Sequence, residues 1–239
     1  MVRWIITLAM LGACFILAEW LPFSPYFRNM DTMVHEFGHA AVTLLLSGEV
    51  HYIRLYENHS GVTLSAVESG WRLIPVALAG YPAASLFSVL LFALHRHRQE
   101  RLGLAILTGI AAVTLALFID NDYGQRWLLG FAALNAVAFL MPIRFVRVGY
   151  FLFLAFLSLA ESVAGAATVA VLSVVSPADS GDAANLARVT GIPAVVWGVV
   201  FLLFALYCAR QAIGHFIAPA RKAASWPGRG KRHGYSSRA

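Results

Sequence analysis

Seven apolar blocks dominate the chain, at residues 4–22, 31–47, 73–94, 102–119, 127–143, 149–175 and 191–214. Several reach or exceed the roughly 18–20 residues that a helix needs to cross a bilayer. They predict an all-α polytopic membrane protein of six or seven transmembrane or re-entrant helices. Residues 4–20 lack a small-residue cleavage site leading into a soluble domain. They therefore read as a first transmembrane segment rather than a signal peptide. The stretch between the second and third blocks follows another period. From Glu49 to Ser65, Tyr, Ile, Val and Thr alternate with polar residues, and Glu57-Asn58-His59-Ser60-Gly61 is a turn signal. This predicts a β-hairpin over about 49–66, outside the helices. Residues 1–215 read as one membrane domain and 216–239 as a basic, disordered tail.

Composition agrees with the pattern. Of the 239 residues, 59% are hydrophobic and 13% charged, against about a quarter charged in soluble domains. A soluble globular protein is excluded. The net charge of +6 is concentrated rather than spread. Beyond Pro219 the chain carries Arg221, Lys222, Arg229, Lys231, Arg232 and Arg238 and no acid. Beside a membrane helix such a tail reads as a cytoplasmic flank facing anionic lipid, not as a nucleic-acid arm. Cys14 and Cys208 both lie in apolar blocks and read as small packing residues, not as a disulfide.

Charge also gives a topology. His95-Arg96-His97-Arg98-Gln99-Glu100-Arg101, the pair Arg144 and Arg147, and the tail should all be cytoplasmic. The loops at 120–126 and 176–190, with Asp120, Asp122, Asp179 and Asp182, should then face outward. If block 31–47 spanned fully, its histidines would lie on the wrong side from every one of these aspartates. A re-entrant unit of that helix and the hairpin, entering and leaving from outside, removes the conflict. Irregular backbone is allowed at membrane depth when protein buries it or it lines a wet cavity.

The chemistry centres on His35-Glu36-Phe37-Gly38-His39, an H-E-x-x-H pattern. On a helix, residues i and i+4 share a face, so two imidazoles can grip one ion. The glutamate between them can act as a general base toward water. Asp31 or Thr32 is the expected N-cap of this helix. Gly38 and Ala40 are small enough for a neighbouring segment to approach. A catalytic zinc takes three protein ligands and keeps one position open. The sequence supplies no third histidine at a zincin spacing, so an aspartate from a distant segment is the natural third ligand. Zinc is inferred from ligand type, and other divalent metals also suit two imidazoles and a carboxylate.

Three pieces of the chain carry a family resemblance: His35-Glu36-Phe37-Gly38-His39-Ala40; Leu78-Ala79-Gly80-Tyr81-Pro82-Ala83; and Gly181-Asp182-Ala183-Ala184-Asn185-Leu186-Ala187 with Thr190-Gly191-Ile192-Pro193. The chain resembles the site-2 protease family of intramembrane metalloproteases, closest to its bacterial B-like branch. The second piece sits where that family has an A-G-P-x-x-N-like segment, with Pro82 shifted and Ser85 as the nearest polar residue. The third resembles the S-D-A-x-x-L-A…T-G-x-P segment of the branch. The resemblance implies Zn2+ held by His35, His39 and an aspartate, with Glu36 as catalytic base. The family places that aspartate in an L-D-G or N-P-D-G motif, and this chain has neither. Asp182, which lies in the resemblance, is the leading candidate. Asp120 and Asp122 are alternatives, and Glu161 is a further one. The other reading of Asp182 is an N-cap for a short helix over 183–188.

Glu161 stands in the middle of an apolar block, where a carboxylate needs a partner or water. His51 and His59 read as solvated hairpin residues. The hairpin edge can hold an extended substrate by main-chain pairing, with Tyr52, Arg54 and Tyr56 lining the approach. The functional expectation is a zinc metalloendopeptidase of a multi-pass bacterial plasma-membrane protein, its C-terminus cytoplasmic. It would cut membrane-protein substrates in or near the bilayer, without nucleic-acid partners. The alternatives are a non-catalytic pseudoprotease or scaffold, and a metal or proton transporter using Glu161 and the histidines.

Overall fold

A computed structural model of the chain describes residues 2–20, 24–68 and 70–218. Nine α-helices and one hairpin are present among the described residues. In order they are α1 (Val2–Trp20), α2 (Ser24–Leu45), β1 (Glu49–Leu55), β2 (Gly61–Ala66), α3 (Leu73–Leu78), α4 (Gly80–Arg96), α5 (Glu100–Leu117), α6 (Asp122–Leu140), α7 (Arg144–Val175), α8 (Asp182–Thr190) and α9 (Ala194–Ile217). A single 3₁₀ turn, Pro177–Asp179, lies between α7 and α8. The helix α9 reaches two residues past the expected domain end at 215, and the tail from 219 onward lies outside the described residues.

Three helices, α5, α7 and α9, are each long and apolar enough to cross a membrane. Their packing follows the rule for helices in lipid, where small side chains rather than water exclusion bring backbones together. Ala205, Ala209 and Ala212 of α9 are all buried, and α9 packs along both α4 and α7. The bundle has two chemically distinct ends. At one, α4 and α9 end and α5 begins. There His95 Nδ1 lies 3.1 Å from Glu100 Oε1 and Arg96 Nη1 lies 3.5 Å from His215 Nδ1. This end collects the basic loops. The hairpin, Asp120 and Asp182 belong to the other end, where α5 and α7 finish and α6 begins.

The motif helix differs from expectation. It starts at Ser24, so Asp31 and Thr32 lie inside it and neither is an N-cap. Pro25 sits in the first turn, where its missing N–H removes no helical hydrogen bond. Arg28 and Asn29, polar residues that suggest a loop, are held by distant partners. Asn29 Nδ2 donates to Tyr123 Oη at 2.7 Å and to the Tyr56 carbonyl at 3.3 Å. Arg28 Nε meets Glu161 Oε1 at 2.8 Å. The expected block 73–94 is two helices meeting at Ala79.

The hairpin matches the alternation closely. Its strands are antiparallel, with Ile53 opposite Thr63 and Leu55 opposite Gly61, and a bulge at His51. Tyr56 N–H donates to Ser60 at 3.0 Å across the turn, and His59 takes the left-handed conformation at φ 65°. The outer edge of β1 is sealed by the chain after α5. Ile53 N–H donates to Phe118 at 2.7 Å and Asp120 N–H donates to Ile53 at 3.1 Å. Asn121 then bonds both the carbonyl and the N–H of Leu55 through its side chain, at 2.7 Å and 3.2 Å. Among the described residues, no backbone hydrogen bond reaches the outer edge of β2.

Candidate metal centre

Two helical turns of α2 deliver the motif to the wall of a cleft of about 970 Å³. His35 and His39 stack one turn apart, their Nε2 atoms 3.1 Å from each other. The first turn of α8 brings Asp182, whose Oδ2 lies 3.2 Å from both of these nitrogens. The other candidates do not come near. Asp120 is exposed and takes the Arg54 guanidinium at 2.5 Å, while Asp122 is exposed in the first turn of α6. Glu161 lines the same cleft but is paired with Arg28. Of the aspartates weighed from sequence, only Asp182 joins the histidines. It does not serve as an N-cap, a position held by Gly181, with no side-chain cap bond.

The three atoms form a near-equilateral triangle. Donors around a tetrahedral zinc lie about 3.3 Å apart, given bonds of about 2.0–2.1 Å. The spacing therefore suits one small cation. The proton inventory points the same way. His39 Nδ1 stands 2.7 Å from the Val76 carbonyl, which accepts only from a protonated nitrogen. That fixes the tautomer and leaves Nε2 as a lone pair in the neutral ring. Asp182 Oδ2 is buried without a hydrogen-bond partner. Burial opposes the charge on Asp182, but positive charge on the His39 and His35 rings outweighs it and holds its carboxyl well below the usual carboxylate range, the pull that a cation between the three atoms would exert in place of charged rings. Two imidazole nitrogens and a carboxylate oxygen converging at this spacing are the donor types that suit a divalent metal.

A glycine on each of the two facing helices makes room for this cluster. Gly38 faces α4, where an added Cβ would come within 2.6 Å of Ala83 Cβ. The small motif residue thus does admit a neighbouring segment. Gly80 faces back. A Cβ there would stand 2.3 Å from His35 Nε2 and 2.5 Å from His39 Nε2. Tyr81 lays its ring against His35 with centroids 4.5 Å apart. The Leu78–Ala83 piece therefore backs the two histidines, which its loose sequence match did not reveal.

Glu36 is buried between the histidines and the hairpin, at 5% exposure. Thr63 Oγ1 lies 2.7 Å from its Oε2. Sequence reading passed over Thr63, whose alternation marked it only as a strand residue. It also missed Arg28. The hairpin's part in the cleft is corrected as well. Residues 58–65 form its wall, whereas Arg54 is engaged with Asp120 and lies 4.2 Å over the Tyr52 ring. His51 is exposed, as expected, but His59 is half-buried in the cleft wall. Burial and the nearby Arg28 guanidinium lower the pKa of His59, which favours its neutral ring.

Apolar helices surround a cleft in which two histidines and an aspartate, a group that could hold a metal ion, converge beside a buried glutamate. The profile of the Peptidase M50B-like family matches residues 4–212. The chain belongs to that family, the B-like branch of the site-2 proteases. Neither a curated protein nor a solved structure matches it.

Proposed function

We propose that this protein is an integral membrane zinc metalloprotease that hydrolyses peptide bonds of membrane-protein substrates in or near the bilayer. The observation that carries the reading is the approach of Asp182 Oδ2 to His35 Nε2 and His39 Nε2, at 3.2 Å each, with Glu36 beside them in one cleft. His35, His39 and Asp182 would hold the ion. A zinc bound there would supply Lewis acidity toward the scissile carbonyl and toward water. Glu36 takes the proton of the attacking water on its carboxylate and passes it to the leaving amine as the C–N bond breaks. The Val76 carbonyl holds the His39 ring in the tautomer this requires.

The substrate lies extended along β2. Ile53 spends its N–H and carbonyl on residues 118–120, so its partner Thr63 points its own main-chain groups away from β1, as does Gly61 opposite Leu55. These groups form an open edge along the cleft, suited to pairing with an unwound segment.

The same contacts support a topology. Helix α2 and the hairpin lie side by side and belong to the end where α5 and α7 finish. They act as a re-entrant unit within a bundle of six spans. The basic end faces the cytoplasm and the metal centre lies toward the opposite side.

The test is turnover of a fluorogenic single-span peptide by zinc-supplemented protein in detergent micelles. Glu36→Gln should lower turnover by at least about 100-fold while zinc stays bound. Equal turnover by the Glu36→Gln variant contradicts the mechanism.

A further inference from the structure

The inner face of β2 meets the motif helix through alternate residues, as strand geometry dictates. Gly61, Thr63 and Ser65 all face α2. Ser65 Oγ accepts from Thr43 Oγ1 at 3.1 Å. Thr63 Oγ1 lies 2.7 Å from Glu36 Oε2 and 3.1 Å from the Glu36 carbonyl. At the turn, Thr32 Oγ1 donates to the His59 carbonyl at 2.7 Å. The hairpin thus rides on α2 along a polar seam, and the middle contact of that seam is on the glutamate of the motif.

Gly61 completes the grip. A Cβ at this position would stand 2.7 Å from Glu36 Cγ and 2.8 Å from Glu36 Oε1. The carboxylate therefore has a hydroxyl on one oxygen and a vacant side-chain position beside the other. Its backbone φ is not in the left-handed region, so the glycine is required here by the close approach alone.

The hairpin does not need Thr63 to stay in place. Thr32 and Thr43 bond it on either side, and residues 118–121 hold its far strand. What the Thr63 hydroxyl adds is orientation of one flexible carboxylate. A glutamate side chain has several rotatable bonds, and a displacement of about 1 Å at a reacting group can cost on the order of 100-fold in rate.

We propose that Thr63 is a positioning residue for Glu36, its hydroxyl holding the carboxylate in the orientation for proton transfer, so that the hairpin belongs to the catalytic machinery as well as to the substrate edge. This rests on the reading of Glu36 as general base. Because the main-chain groups of Thr63 also lie on the open edge of β2, one residue couples the substrate strand to the base.

The experiment compares Thr63→Val, which keeps the shape and loses the donor, with Thr63→Ser, which keeps the donor. Thr43→Val serves as the seam control. All are full-length, zinc-supplemented proteins in dodecyl maltoside, assayed with the fluorogenic single-span peptide. Thr63→Val should lower kcat by roughly 10- to 100-fold with KM and zinc content unchanged. Thr63→Ser should restore kcat to near the parent value, and Thr43→Val should leave it there. A second readout needs no activity. Thr63→Val should lower the Tm by about 2–4 °C in the parent, and by clearly less in a Glu36→Ala background, since coupled neighbours are non-additive. Parent-like kcat in Thr63→Val, or additive Tm shifts, overturns the proposal and leaves the protease reading standing. Coupled Tm shifts in a zinc-loaded parent that cleaves nothing remove the protease reading and the positioning role with it.

Discussion

His39 Nδ1 and the carbonyl oxygen of Val76 stand 2.7 Å apart, joining the motif helix to α3. The contact turns Nε2 of His39 toward His35 and Asp182. A backbone acceptor sets the ring orientation, so it is independent of the side chain at 76. The candidate metal centre is therefore built from three layers. Helix α2 supplies two rings, α8 supplies a carboxylate, and α3 with the start of α4 supplies the backing that aims them.

Gly80 is the most constrained position of that backing. Gly80→Ala places a methyl group where the two Nε2 atoms now stand within 2.3–2.5 Å. Metal affinity should fall by about 10- to 100-fold, the range for disturbing the groups that orient ligands. Zinc titration of the purified variant against a competing chelator reads this directly, with circular dichroism showing retained helix. Unchanged affinity would mean that α4 does not back the site.

The Arg54–Asp120 pair is a surface feature and should behave as one. Its side chains are 39% and 48% exposed, so solvent screens the pair and Asp120→Ala should leave the unfolding temperature close to that of the parent. Zinc content should not change at all. Thermal unfolding and elemental analysis on the same preparation check both statements.

Arg28 and Glu161 should show the opposite behaviour. Their side chains are 28% and 15% exposed, and the pair lies in the cleft wall. Arg28→Met removes the guanidinium that meets Glu161 and should cost about 2 kcal/mol, below the range for fully buried pairs because solvent reaches the site. The double variant Arg28→Met, Glu161→Gln should recover most of the loss. Additive losses in thermal unfolding would contradict a direct pair.

Chelation should destabilise the protein through the same three ligands. With free zinc at about 100 times its dissociation constant, binding contributes about 2.7 kcal/mol. Removing zinc should lower the Tm of the parent and leave that of Asp182→Ala unmoved. Differential scanning measurements with and without chelator distinguish the two.

What the sequence disclosed depended on how locally each feature is encoded. The hairpin was legible because alternation and a turn signal lie within one stretch, and its strands fall at 49–55 and 61–66. The motif was legible because i and i+4 on a helix need no tertiary information. Asp182 was ranked first from its place in the family resemblance, and Asp120 and Asp122 stayed open, since its meeting with His35 depends on how α7 returns the chain. The start of α2 was missed for the same reason. Arg28 and Asn29 look like loop residues until Glu161 and Tyr123 reach them from other helices. Thr63 was hidden because nothing in a strand pattern says that its hydroxyl meets a glutamate 27 positions earlier.

The central claim is that His35, His39 and Asp182 form one metal site. Elemental analysis of detergent-purified protein, made without chelator, tests it most directly. The account predicts near one zinc per parent chain, lost in His35→Ala and in Asp182→Ala and kept in Asp120→Ala and Asp122→Ala. A metal-free parent, or zinc retained in Asp182→Ala and lost in an Asp120 or Asp122 variant, would contradict it.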